Sequence, residues 1–165
     1  MAAIKVTGLD MRKWRETERK LKELGGVRSV RVGILPGSRN ADGENIAEYA
    51  AANEYGSADI PSRPFMRTTA REKGASWASI LAGALQGRVV KDPNVGRRAF
   101  TAVGRVAQAD IQATIMSNMP PANSPEYAAE KVKENGGYAG TLFLSGDMHK
   151  SINFDLVNGF GESAE

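Results

Sequence analysis

An α+β domain is what this sequence predicts, and three observations carry it. Val30, Val32 and Ile34 alternate with Arg31 and Gly33 near one end, and Ile152, Phe154 and Leu156 alternate near the other, which is the period of half-buried strands. Between them, apolar residues recur at helical spacing through three long stretches. The third observation is a break inside the helical part: Pro61 and Pro64 push Ile60 and Arg63 out of the helical region, so residues 60–64 are strand-like or polyproline-like.

Taken in order, Asp10 is an N-cap for a first helix to about Leu24. Met11, Trp14, Leu21 and Leu24 form its apolar face, while Arg12, Lys13, Arg15, Arg19, Lys20 and Lys22 line much of the rest. Arg12, Arg15, Arg19 and Lys22 are candidates for facing DNA or a partner; a solvated charged face is the alternative. Gly25 and Gly26 end the helix. Residues 27–35 form the first strand, stopped by Pro36 and Gly37, and a polar loop follows to Gly43. Residues 45–54 are a short helix ending at Asn53-Glu54-Tyr55-Gly56, and the proline bridge follows.

Phe65 opens a helix to about Gln86, with Met66, Thr69, Trp77, Ile80 and Leu81 near one stripe. Asp92-Pro93-Asn94 starts another, in which Val95, Ala99, Val103, Val106 and Ala107, then Asp110, Ile111 and Ile115, run at helical spacing to Met119, and Pro120-Pro121 stops it. Residues 120–140 read as a long loop with one short helix near 126–133, of a length that is usually functional or ordered by a partner. An apolar run at 141–144 reads as a strand, Ser145-Gly146 as a turn, and 151–157 as the last strand. Residues 159–165 are expected to be a mobile tail. Residues 1–158 thus read as one domain, a size able to bury a single core.

Composition narrows function by exclusion. With no cysteine and one histidine, His149, neither a thiolate zinc site, a disulfide framework nor a Ser-His-Asp triad is expected. No phosphate-binding or dinucleotide glycine fingerprint follows a strand, and Ser145-Gly146-Asp147 lacks the preceding glycine of a nucleophile elbow. No enzyme and no cofactor are expected; His149 reads as an exposed turn residue, and Trp14 and Trp77 as core anchors. No leader and no membrane-spanning stretch are evident, so the chain is expected to be cytosolic when made.

Net charge is only +3, but it is unevenly spread. Residues 1–31 carry nine basic against four acidic side chains, and residues 120–165 three against seven. Such a chain can complement a copy of itself head to tail, or two partners of opposite sign, unless both ends are simply solvated.

Two separated motifs resemble those of the phage virion-morphogenesis family, the small neck and tail-completion proteins of tailed bacteriophages, Mu-like phages included. The first is Asn53-Glu54-Tyr55-Gly56 with Ile60-Pro61-Ser62-Arg63-Pro64-Phe65-Met66-Arg67, preceded by the strand ending Val32-Gly33-Ile34-Leu35. The second is Pro121-Ala122-Asn123-Ser124-Pro125, a lysine downstream (Lys131 or Lys133), and Ser145-Gly146-Asp147-Met148 leading to Ser151-Ile152. Phe143-Leu144-Ser145 departs from the family, which more often has a short aliphatic followed by Asp-Thr or a similar pair, and the basic first helix matches no family motif. The resemblance spans about residues 27–157.

It implies a small, mostly antiparallel sheet packed against two or three helices. It also implies a structural virion protein at the head–tail junction. Copies would form a hexamer or other cyclic ring around the DNA channel, joining portal or connector to tail-tube or terminator proteins, with DNA passing non-specifically and no membrane involved. The expected location is the virion, and the host cytoplasm during assembly. Glu54, Tyr55, Gly56, Pro61, Arg63, Pro64, Phe65, Ser145 and Gly146 are the structural or interface candidates. Arg63 is expected to form a fixed salt bridge, with Glu54 as its first candidate partner, or to face a neighbouring subunit. The alternatives are a tail-terminator or minor tail protein and, from another class, a small DNA-binding module using the first helix and the face of Arg98 and Arg105.

Overall fold

The structure, a computed structural model, describes residues 27–86, 92, 94–135, 140–142, 145–158 and 162–163. The expected basic helix, with Arg12, Arg15, Arg19, Lys22 and Trp14, lies outside these residues, as do Gly136, Gly137, Phe143 and Leu144.

The chain is α+β. In order it forms β1 (Val27–Ile34), α1 (Ile46–Tyr55), α2 (Phe65–Leu85), α3 (Val95–Met116), α4 (Pro125–Asn135), α5 (Asp147–Ser151), β2 (Ile152–Asn158) and β3 (Glu162–Ser163). Among the described residues the sheet has three antiparallel strands in the order β1-β2-β3. The two alternating stretches from opposite ends of the chain are thus hydrogen-bonded neighbours. Val30 faces Leu156, Val32 faces Phe154 and Ile34 faces Ile152. Arg31 faces Asp155, and their side chains close an exposed ion pair at 2.8 Å.

Helix α3 is the spine of the core. Val95, Ala99, Val103, Ala107, Ile111 and Ile115 recur every four residues and are all buried, so one stripe of the helix faces inward along its whole length. It contacts β1, β2 and α2. Gly104 lets the sheet come close: a methyl group there would sit 2.5 Å from the Phe154 ring. Gln108 adds a polar tie, its Nε2 donating to the Ile152 carbonyl at 2.7 Å. Phe65, Ile46, Ala50, Leu142, Met148 and Ile152 complete the cluster around Ile111 and Ile115.

Several expectations change. Residues 60–64 join no strand: Pro61 and Pro64 have no N–H to give to a ladder, and the segment bonds back to α1 instead, the Arg63 N–H donating to the Asn53 carbonyl at 2.6 Å. Thr141 and Leu142 form a bend rather than a strand, and the Thr141 N–H goes to the Asn118 side chain at 3.3 Å. The short helix expected near 126–133 is present and somewhat longer, the 11-residue α4. Within the tail expected to be mobile, Ser163 and Glu162 pair with Val157 and Asn158. His149 is half-buried on α5 rather than exposed at a turn. Trp77 is half-buried too, and its indole N–H donates to Asp110 Oδ2 at 2.7 Å.

Candidate functional site

The site is built outward from the proline bridge. Helix α1 stops at Gly56, whose φ of 84° is left-handed and whose N–H closes on the Ala52 carbonyl at 2.8 Å. Added side-chain bulk there would lie 3.1 Å from the Ser62 backbone nitrogen, so the glycine serves both the turn and the close return of the bridge. The Ser62 hydroxyl then donates to the Glu54 carbonyl at 2.9 Å, fastening the bridge to the helix it has just left.

Glu54 and Arg63, expected as partners, are not bonded to each other. Glu54, 4% exposed, turns its carboxylate to the open end of α2. It accepts from the Met66 N–H at 2.9 Å, from the Arg67 N–H at 3.1 Å and from Arg67 Nε at 2.9 Å. Pro64, at the N-cap position, offers no side-chain acceptor, so a carboxylate from the preceding helix does the capping. Arg67 also donates to the Glu54 carbonyl at 2.8 Å and lies 4.8 Å over the ring of Tyr55, which is 69% exposed. Phe65, the next motif residue, is buried in the core.

Arg63 points the other way, into the second motif. It is 4% exposed, and Nε donates to the Pro121 carbonyl at 2.8 Å. Nη2 donates to the Ala122 carbonyl at 3.3 Å and to Asn123 Oδ1 at 3.1 Å. Asn123 in turn donates to the Gly140 carbonyl at 3.5 Å. The same carbonyl accepts from Lys131 Nζ at 3.0 Å, and the Thr141 carbonyl accepts from it at 3.2 Å. Of the two candidate lysines, the buried one is therefore Lys131, 3% exposed; Lys133 is exposed. The Lys131 ammonium also sits 4.9 Å over the ring of Tyr127.

These groups wall a cavity of about 710 Å³ bounded by α1, the proline bridge, α4 and the start of α5. Arg63 and Lys131 are its buried cations, and among the described residues neither has a carboxylate within ion-pair distance. Burial lowers the pKa of both, and the nearby Arg63 charge lowers that of Lys131 further. Ser145 and Gly146 form the far wall. Gly146, at φ 81°, starts α5, and the Ser145 hydroxyl donates to Asp147 Oδ2 at 2.5 Å. Pro61 is exposed along the edge.

Tyr49, on α1, also lines this cavity. Burial first, then the Asp147 charge, push its hydroxyl pKa up to about 12 from 10.0, against a hydrogen bond from the Met148 N–H that lowers it. The unfolded chain releases that proton near pH 10 and the folded one near 12. The stability held by the neutral hydroxyl is therefore complete below pH 10 and is lost as the pH climbs towards 12. Between those limits the protein is expected to lose about 1–2 kcal/mol that Tyr49→Phe does not lose, measured by urea unfolding at stepped pH.

Of the sequence candidates, the structure brings Pro61, Arg63, Ser145 and Gly146 to one cavity and places Glu54, Tyr55, Pro64 and Phe65 at the α1–α2 junction beside it. Arg98 and Arg105 are exposed on α3, Arg98 paired with Asp92. Asn123 and Lys131 belong to the quoted second motif, but their pairing with the first is a tertiary fact. Among the described residues no cluster of His, Asp and Glu is arranged to hold a metal ion, and no helix is long and apolar enough to cross a membrane. Comparison with family models, curated proteins and solved structures finds no match to this chain.

Proposed function

We propose that the chain is a structural subunit of the head–tail junction of a tailed bacteriophage, a neck or tail-completion protein that assembles as a cyclic ring around the DNA channel. The observation that supports this reading is the meeting of the two motifs. Segments some sixty residues apart in sequence, each of which resembles a motif of that one family, are joined by Arg63 through three hydrogen bonds. A motif pair that builds one wall is a single structural device, and its parts have a common reason to occur in one chain.

The mechanism is geometric. Each copy holds its helices at a fixed angle through the bridge and presents its surface to a neighbour; copies related by rotation close into a ring. The ring joins the connector to the tail tube and leaves a lumen through which DNA passes without sequence-specific contact. A modest net charge of +3 suits such a lumen, because many phosphate contacts would hold the DNA against ejection. No catalytic step is required of it.

The test is location. An antibody to this chain, applied to phage particles released by the cell that encodes it, is expected to label the junction of head and tail in electron micrographs. Label confined to the upper tail would assign it to the tail terminator instead. Particles without label, or labelled on the capsid or tail tip, would remove the junction reading.

A further inference from the structure

Helix α4 is held to the protein differently from α1, α2 and α3, and we infer that it is a flap: residues 124–134 open as a unit beside the cavity while the sheet and α3 stay folded. The other three helices are seated on apolar side chains. Ile46 and Ala50 of α1 are buried, Phe65 of α2 is buried, and α3 buries its whole inner stripe. Of residues 125–134 in α4, Lys131 alone is buried. Tyr127 and Val132, the largest apolar side chains of this helix, are 45% and 41% exposed, and among the described elements none packs along it. An 11-residue helix is marginal in water by itself, so α4 depends on whatever ties it down.

Those ties are few and polar. Ser124 starts the helix from within, its hydroxyl accepting from the Tyr127 N–H at 3.2 Å and its carbonyl from the Ala128 N–H at 2.9 Å. Beyond the segment itself, residues 124–134 hydrogen-bond to other described residues only through Lys131 Nζ, to the Gly140 and Thr141 carbonyls. That receiving turn belongs to the body of the fold: Leu142 lies in the core cluster, and the Thr141 N–H is held by Asn118. Just before the helix, Arg63 grips residues 121–123. The segment is thus fixed at its start by a guanidinium and latched further along by one ammonium. Next to it lies the cavity of about 710 Å³, so its inner side meets space where α3 meets packed side chains. Few buried apolar contacts beside a void are the marks of a unit that opens locally. Opening breaks the two Lys131 bonds and widens access to the cavity wall of Ile60, Leu142 and Met148. The inference concerns one subunit and is independent of the ring reading.

The experiment is amide hydrogen exchange of the full chain, read by mass spectrometry on peptides covering α4 and α3. In the parent protein the α4 amides are expected to exchange roughly a hundredfold faster than those of α3, yet about tenfold slower than an unstructured chain. Low urea is expected to speed α3 and to leave α4 nearly unchanged, because local opening exposes little surface. Lys131→Met removes the latch and is expected to speed α4 at least about tenfold, the effect of losing hydrogen bonds to a charged donor, with α3 unchanged. Lys133→Met, on the exposed lysine of the same helix, is expected to change neither. Exchange of α4 in the parent as slow as that of α3 would overturn the flap, and so would an equal effect of Lys131→Met on both helices. Parent α4 amides exchanging as an unstructured chain does, or equal responses of α4 to the two lysine variants, would overturn the latch on which it rests.

Discussion

Replacing Glu54 with alanine is expected to cost about 3 kcal/mol and to loosen the first turn of α2, while Arg67→Ala costs about 1 kcal/mol. The contrast follows from where the two partners sit. The Glu54 carboxylate is buried and accepts two backbone N–H groups of α2 that have no other partner in the helix. Truncating it strands those donors, removes a negative charge from the positive end of a helix and leaves a void beside Phe65. The Arg67 side chain is 58% exposed and regains water when its pair is lost. Urea unfolding of the two variants, followed by circular dichroism, gives the comparison. Equal losses would mean that the ion pair, and not the capping, holds the junction.

Arg63→Ala is expected to destabilise the fold by a similar amount, about 3 kcal/mol, for a different reason. It removes three hydrogen bonds from a charged donor and leaves the acceptors of residues 121–123 facing a hole. Arg63→Lys is expected to recover less than half of this, because a compact ammonium cannot span two carbonyls and an amide as a planar fork does. The electrostatic effect runs the other way. Without the guanidinium, the Lys131 pKa is expected to move up towards its ordinary value, since Arg63 is one of the two causes that lower it. An NMR titration of Lys131 Nζ reads this separately from the loss of stability. A Lys131 pKa that stays where it was in Arg63→Ala would show that burial alone sets it.

How legible this molecule is from its sequence depends on the range of the cause. The inward stripe of α3 is written every four residues, and β1 and β2 in strict alternation, so local periodicity suffices to find them. The stiffness of the bridge is equally local, since Pro61 and Pro64 impose it on their own neighbours. The partner of Arg63 is not local. Two prolines show that an arginine is held, and nothing in their spacing says whether it reaches back to Glu54 or on to Pro121. That Glu54 takes Arg67 and the first turn of α2, and not Arg63, depends on the return angle at Gly56. Residues 60–64 and 141–142 have strand-like chemistry, but a strand needs a neighbour with free donors, and here the prolines and the Asn118 side chain intervene. Nothing local separates Lys131 from Lys133; the carbonyls of Gly140 and Thr141, which Lys131 alone reaches among the two, do so.

The pairing of β1 with β2 also sets a timetable. Arg31 meets Asp155, 124 positions further along the chain, so β1 leaves the ribosome long before its partner exists. At ordinary synthesis speeds of about 5–20 residues per second the wait is on the order of 6–25 s. Throughout that interval the apolar side chains of Val30, Val32 and Ile34 have no native strand beside them, and long-range pairing of this kind is slow to close even when both strands are present. Arg31, between two of those residues, places a charge in the middle of the waiting strand, a placement that discourages two nascent chains from pairing through it. The same arginine later takes Asp155 as its cross-strand partner, so one side chain guards the strand during synthesis and aligns it afterwards.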